Sequence, residues 1–195
     1  MFSLENKHKG ETVYVVGAGK SIDFYKDEFW QGKTIIGLNQ VGKKIPVDYT
    51  IRKEGAESYG GVLIRSMWKY GAKNERNHGG YLFDHHSNTL TTINADGLHP
   101  YGELFVVSYS TITSALHIAA FMGFKDIYVC GHDCAAIGGE TTFSGYYDGE
   151  RLWDTDADYE KWLSEIAPQT EWVKEFIEDN YNANVIFLQP RMNYA

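Results

Sequence analysis

The 195-residue chain carries 18 Lys and Arg against 26 Asp and Glu, a formal net charge of −8, with 43% hydrophobic and 15% aromatic residues. That length fits one domain with a substantial core, and the acidic balance argues against a nucleic-acid partner or an anionic membrane surface, whose binding rests on Lys and Arg. No apolar run approaches the roughly 20 residues of a membrane span, Met1–Lys9 is too polar for a signal peptide, and Cys130 and Cys134 are too few for a disulfide framework, so a cytoplasmic protein without an integral membrane segment is expected.

From the amino end, Val13–Val16 reads as a buried strand that breaks into Gly17-Ala18-Gly19-Lys20-Ser21 before a helix-like segment. A strand, a glycine turn and a helix start can hold an anion, because unpaired N–H groups and the positive helix end face one point. Gly17, Gly19, Lys20 and Ser21 are therefore candidate nucleotide- or phosphate-binding residues. Neither standard motif is complete: a P-loop needs glycine where Tyr14 stands, and the dinucleotide fingerprint needs glycine at Ile22. The next strand, Thr34–Leu38, ends in Asn39-Gln40, where the Asn39 amide suits a base or ribose edge or a turn. Tyr49–Arg52 is a further, weaker strand, after which Arg52 and Lys53 offer positive charge to a phosphate or to the solvent.

Residues 55–100 read as an irregular insertion or a short antiparallel excursion, with a weaker strand at Val62–Ile64. Asp84-His85-His86 lies there without the spacing of metal ligands, so no metal site is expected. Leu104–Val107 is another weak strand. The following Ser108–Ser114 stretch gathers hydroxyls, among them Ser110, Thr111, Thr113 and Ser114, at the start of an amphipathic helix over Thr111–Met122, where they can cap the helix or hold an anion. Ile127–Cys130 is a strand followed by Gly131-His132-Asp133, which sets Asp133 and His132 at the strand end as candidate catalytic residues. The acidic, aromatic run Tyr146–Asp154 fits a lid or a solvated loop. Helical spacing returns over Tyr159–Tyr181, broken at Pro168, which is expected to start a second helix, and Val185–Leu188 is the last strand.

Strands alternating with helices predict an α/β fold: a Rossmann-like three-layer αβα arrangement with a mostly parallel sheet. The whole chain is expected to form one nucleotide-binding domain. Ligands of such sheets bind outside the carboxyl ends of the strands. Residues 101–195 hold 5 Lys and Arg against 15 Asp and Glu, leaving 13 against 11 in the first 100, so any local preference for a phosphorylated ligand falls in the first half.

Gly17-Ala18-Gly19-Lys20-Ser21-Ile22 resembles the Gly-x-Gly-Pro-Ser-Leu turn of the hydroxymethylpterin diphosphokinase-like proteins, which include motility-associated flagellin glycosyltransferases. Pro46-Val47-Asp48-Tyr49 is similar to their Pro-Asp-Tyr element, Ser114–Ala119 with Gly123–Asp133 to their helix–strand block, and Gly139–Gly145 to the loop after it. The same segments, with Leu38-Asn39-Gln40 and Ile112-Thr113-Ser114, resemble bacterial sialyltransferases that use a CMP-sugar donor. Two departures stand out: Lys20 replaces the proline, and no histidine follows His132 to match the sialyltransferases' catalytic histidine.

The resemblance implies a nucleotide-dependent transferase, foremost a glycosyltransferase with a nucleotide-sugar donor and an acceptor the sequence does not identify. An Mg-ATP-dependent hydroxymethylpterin diphosphokinase-like enzyme is the alternative, and Mg²⁺ enters only there. A non-catalytic nucleotide- or sugar-binding protein is the third reading, and a homo-oligomer is compatible with all three.

Overall fold

The computed structural model describes residues 2–52, 57–66, 81–85, 104–105, 110–147 and 156–188. Eight strands, β1 (Thr12–Val16), β2 (Ile35–Leu38), β3 (Tyr49–Arg52), β4 (Val62–Ser66), β5 (Tyr81–His85), β6 (Leu104–Phe105), β7 (Asp126–Cys130) and β8 (Asn184–Phe187), form one sheet in the order β6-β5-β4-β3-β2-β1-β7-β8. Every pairing is parallel, which confirms the α/β class. The chain steps outward from β1 to β6, and the helix α1 (Thr111–Phe121) then carries it back to β7 on the other side of β1. The order therefore reverses between β1 and β7, and the crevice above that switch point is where open parallel sheets bind ligands.

Alternation along the strands divides the core in two. Val13, Val15, Ile36, Leu38, Tyr49, Ile51, Ile127 and Val129 face α1 and the long helix α2 (Asp156–Asn180). Val16, Ile35 and Cys130 face the other way, against Ile22, Trp30, Val41, Ile45, Phe143 and Tyr146. Among the described residues, this second layer is built from 3₁₀ turns at Lys20–Phe24, Asp27–Trp30 and Val41–Lys43, together with the loop around Phe143. Among the described residues this face carries no α-helix.

α1 is buried almost all round, with every residue from Ile112 to Phe121 in the interior. Its C-terminal carbonyls are met by the amino-terminal segment: the Asn6, His8 and Gly10 N–H groups donate to the Phe121, Met122 and Gly123 carbonyls at 3.1, 2.8 and 2.9 Å. Gly123 supplies the left-handed residue, φ +87°, that ends the helix.

Several expectations change. The segment after the glycine turn is a five-residue 3₁₀ helix rather than an α-helix, so it brings little macrodipole to an anion. Part of the 55–100 stretch is regular structure, because β4 and β5 both join the parallel sheet and no antiparallel excursion is seen among the described residues. Pro168 does not start a second helix; it lies inside α2. A proline there costs about 3 kcal/mol, while burial of Ile166, Val173 and Ile177 on the same helix recovers about 1.5–3 kcal/mol per side chain. Packing on the sheet outweighs the break. His86, Lys53, Tyr109, Val107 and the Asp148–Asp154 part of the expected lid lie outside the described residues.

Candidate functional site

The glycine turn and the turn after β7 are laced together. Gly17 N–H donates to the Cys130 carbonyl at 2.8 Å, Gly19 N–H to the Gly131 carbonyl at 2.8 Å, and Ser21 N–H to Asp133 Oδ2 at 2.8 Å. The β1–β7 pairing thus runs past the strand ends, and three of the turn's N–H groups are spent within the protein. The Ser21 hydroxyl adds a second bond, to Asp133 Oδ1 at 2.5 Å. A Cβ on Gly17 would fall 2.5 Å from the Gly131 carbonyl oxygen, and one on Gly19 would fall 2.5 Å from Asp133 Oδ2. Both glycines make room for this contact between turns.

Asp133 is buried and both of its oxygens accept from Ser21. Burial raises its pKa, and the two Ser21 bonds counter part of that rise. Such a carboxylate holds the turn in place. His132 points the other way, toward α2: its Nε2 lies 2.9 Å from Thr170 Oγ1, which donates its own hydrogen to the Ile166 carbonyl at 3.0 Å. His132 Nε2–H is therefore the donor to Thr170. Cys134 Sγ lies 3.4 and 3.6 Å from the two ring nitrogens. The two candidate catalytic residues are neighbours in sequence but face opposite sides of the β7 end.

Lys20 is drawn into a latch. Its Nζ pairs with Asp23 Oδ2 at 3.0 Å and with Glu140, and lies 3.4 Å from Ser144 Oγ. Asp23 also faces Lys44 Nζ at 2.9 Å and accepts from the Ser144 N–H and hydroxyl, each at 2.9 Å. Burial works against the Asp23 charge, but Lys44, Ser144 and Lys20 together hold its carboxyl well below the usual range. Phe143 N–H donates to the Ala18 carbonyl at 3.0 Å, Thr142 bridges Gly19, and the buried Phe143 and Tyr146 rings plug the second layer. Residues 140–146 therefore strap the glycine turn from above.

Asn39 has left-handed backbone, φ 53°, and its N–H donates to the Ile51 carbonyl at 2.9 Å. Its side chain is hydrogen-bonded to the Tyr146 hydroxyl, whose pKa burial pushes up to about 12. Of the expected hydroxyl cluster, Thr113 Oγ1 turns back to the Ser110 carbonyl at 3.1 Å, Ser114 is fully buried, and Thr111 is half-buried. Ser110 stands at the N-cap of α1 with extended backbone and makes no side-chain capping bond.

Among the described residues, four buried polar side-chain atoms lack a hydrogen-bond partner: Ser110 Oγ, Gln40 Oε1, Arg52 Nε and Asp23 Oδ1. Asp23 Oδ1 still has Lys44 beside it at ion-pair distance. The other three lie at the start of α1 and at the ends of β2 and β3, all on the carboxyl edge of the sheet. Leaving such a group buried without a partner costs about 1–3 kcal/mol, more when it is charged, and invites a ligand, ion or water as the missing partner. Gln40 and Arg52 stand among the strand-end residues that the sequence singles out, and Tyr146 opens the run expected as a lid or solvated loop; what the sequence does not show is that Tyr146 packs against Asn39 from a distant loop.

Two cavities border the opposite, amino edge, one of about 280 Å³ between Asn6, Lys9 and Tyr181 and one of about 500 Å³ around Trp30, Lys33 and Pro46. Neither carries an unpartnered buried polar atom. Among the described residues, no three His, Cys, Asp or Glu side chains converge as a metal site, and no helix is long and apolar enough to cross a membrane.

The fold and this edge define an α/β protein with a Rossmann-like parallel sheet and polar groups gathered at its carboxyl ends. Among solved structures the chain is similar to the Maf glycosyltransferase from Magnetospirillum magneticum AMB-1, with a TM-score of 0.52, 15% sequence identity, and coverage of 97% of this chain and 35% of that one. The likeness is one of fold, and the chain spans about a third of that protein's length. No protein-family model and no curated protein matches the sequence.

Proposed function

We propose that this chain is a glycosyltransferase-like transferase whose carboxyl edge receives a nucleotide-sugar donor. The observation that carries the reading is that Ser110 Oγ, Gln40 Oε1 and Arg52 Nε are buried without a hydrogen-bond partner among the described residues, at the start of α1 and at the ends of β2 and β3. The fold shared with a glycosyltransferase agrees with it. The phosphate or carboxylate of the donor goes to the α1 start, where the first-turn N–H groups and the Ser110 hydroxyl converge with the positive helix end. Gln40, with Asn39 beside it, offers amide groups to the nucleoside. Gly17, Gly19 and Ser21, whose amides are spent on the turn after β7, shape the floor of the site, and Lys20 does so through its side-chain latch to Asp23 and Glu140. Catalysis in this reading comes from positioning the donor and supporting the departing phosphate electrostatically.

One observation favours a second reading, binding without chemistry: Asp133 is held by Ser21 and His132 by Thr170, so neither offers an unengaged base to the crevice. A thermal-shift panel of CMP, CMP-sugars, UDP-sugars and ATP with and without Mg²⁺ tests both. A ligand at a hundred times its Kd adds about 2.7 kcal/mol, a rise of about 5–10 °C for a domain of this size. Stabilisation by a nucleotide sugar with donor consumption supports transfer. Stabilisation without consumption supports the binding reading, and stabilisation by MgATP alone overturns both in favour of a diphosphokinase-like activity.

A further inference from the structure

Two lysines share one carboxylate beside the glycine turn. Asp23 Oδ2 lies 3.0 Å from Lys20 Nζ, and Asp23 Oδ1 lies 2.9 Å from Lys44 Nζ. Ser144 gives the same carboxylate its N–H and its hydroxyl, each at 2.9 Å, and its oxygen stands 3.4 Å from Lys20 Nζ. Two positive charges on one negative leave the cluster a surplus positive charge. Among the described residues, Glu140 supplies the balance through its ion pair with Lys20.

The two carboxylates are held differently. Asp23 is 13% exposed and accepts from a backbone N–H as well as from side chains. Glu140 is 56% exposed, and among the described residues its side chain is paired with Lys20 alone. Ion pairs at such exposure are weak and screened by salt. The Glu140 backbone does not depend on that pair. Ile137 N–H donates to the Glu140 carbonyl at 2.9 Å and Glu140 N–H to the Ile137 carbonyl at 3.2 Å, which closes a two-residue turn on Gly138 and Gly139, with φ of +61° and +81°. Beyond the chain neighbours, no atom lies within 4 Å of where a Cβ of either glycine would stand. The carboxylate thus has room to swing into solvent while the strap, anchored by the buried Phe143 and by Ser144 on Asp23, stays in place.

We propose that Glu140 is an internal competitor: its carboxylate occupies an oxyanion position on the Lys20 ammonium, with Lys44 behind Asp23, and a phosphoryl group of the ligand displaces it. The exchange is non-covalent. One carboxylate leaves the ammonium for water, and a phosphoryl oxygen takes its place on the freed N–H. A lysine serves such an anion as a point charge, without the fixed fork of an arginine. Lys20 follows Gly19 after the carboxyl end of β1, on the edge where the strand order reverses. The position is therefore made by other residues than the α1 start, and it takes a second charged group of the ligand. The transferase reading enters only in assigning that group to a donor; the displacement itself is testable alone.

Calorimetric titration of the full chain at low salt with pyrophosphate, CMP and UDP, and with uridine as the neutral control, reads the displacement. Glu140→Gln keeps the size of the side chain and removes its charge. It is expected to tighten binding of at least one of the three anions about threefold, the factor that an exposed ion pair commands, and to leave uridine unchanged. In a Lys20→Met background the same exchange brings no gain, which separates displacement from a general loss of negative charge. Lys20→Gln replaces Lys20→Met if the urea midpoint of the latter departs from the wild type. Equal affinity of the wild type and Glu140→Gln for all three anions, no anion bound by either, or the same gain without Lys20 overturns the proposal. A parallel titration with CMP- and UDP-sugars keeps the two readings apart. A gain for pyrophosphate without nucleotide-sugar binding removes the transferase and leaves the competitor, whereas nucleotide-sugar and anion binding indifferent to Glu140→Gln removes the competitor alone.

Discussion

Gly19 shows how a single residue can be misread from its neighbours. Its φ of −59° is open to any amino acid, so conformational freedom does not explain it. What it provides is a missing side chain, since a Cβ would meet Asp133 Oδ2 at 2.5 Å and the Gly131 carbonyl oxygen at 2.7 Å. Gly19→Ala is therefore expected to cost about 2–3 kcal/mol in urea denaturation through overpacking, and an unchanged midpoint would refute the contact. Asp23 and Asp133 titrate in opposite senses. Asp23 has a folded pKa below its ordinary 3.8, so the stability it supplies is present above that value and is lost as pH falls through the folded pKa. Asp23→Ala is expected to lose about 2 kcal/mol at pH 7, a deficit that shrinks in strong acid. Asp133 has its folded pKa raised above 3.8, so stability falls as pH rises from 3.8 through that raised value. Asp133→Asn, which can still accept from the Ser21 N–H, gains on the wild type over the same window. Denaturation curves that stay parallel across pH would contradict both assignments.

At the scale of elements, α2 is the sharpest test of packing against local preference. Pro168 is exposed in the middle of a 25-residue helix, held there because Ile166, Ala167, Gln169 and Thr170 around it are buried. Pro168→Ala restores a backbone donor and removes the ring, so it is expected to stabilise the protein by about 1–3 kcal/mol, measured by the urea midpoint; a loss of stability would mean that the ring itself is needed. The same helix marks the limit of sequence reading. The strands at Val13–Val16, Thr34–Leu38, Ile127–Cys130 and Val185–Leu188 were legible to within a residue or so because buried parallel strands read as continuous apolar runs, while Tyr49–Arg52 and Val62–Ile64, which mix polar residues in or are short, gave a weaker signal. β5, Tyr81-Leu82-Phe83-Asp84-His85, was not, since its pairing with β4 is non-local and its composition mixes apolar and polar residues. The glycine turn was legible as a turn at a strand end. Its partner was not, because Asp133 lies 112 residues away from Ser21 and nothing in the local pattern says that a carboxylate, rather than a ligand, fills the space the glycines leave. The Tyr146–Asn39 contact was hidden for the same reason.

For the whole molecule, the decisive feature is the strand order, which reverses between β1 and β7 and places the ends of β1, β2, β3 and β7 and the start of α1 along one edge. Segments from residue 17 to residue 146 meet there. Some are locked to one another, as Ser21 is to Asp133 and Lys20 to Asp23, and they build a rigid floor. Others, namely Gln40, Arg52 and Ser110, keep buried polar atoms in reserve. The central claim is that this reserve binds a nucleotide sugar, and calorimetric titration of CMP- and UDP-sugars into the wild type and a Gln40→Ala/Ser110→Ala double variant tests it directly. The expected result is saturable binding of at least one nucleotide sugar by the wild type and at least tenfold weaker binding by a double variant that remains folded. Absence of binding to the wild type, or equal affinity in the double variant, would contradict the account.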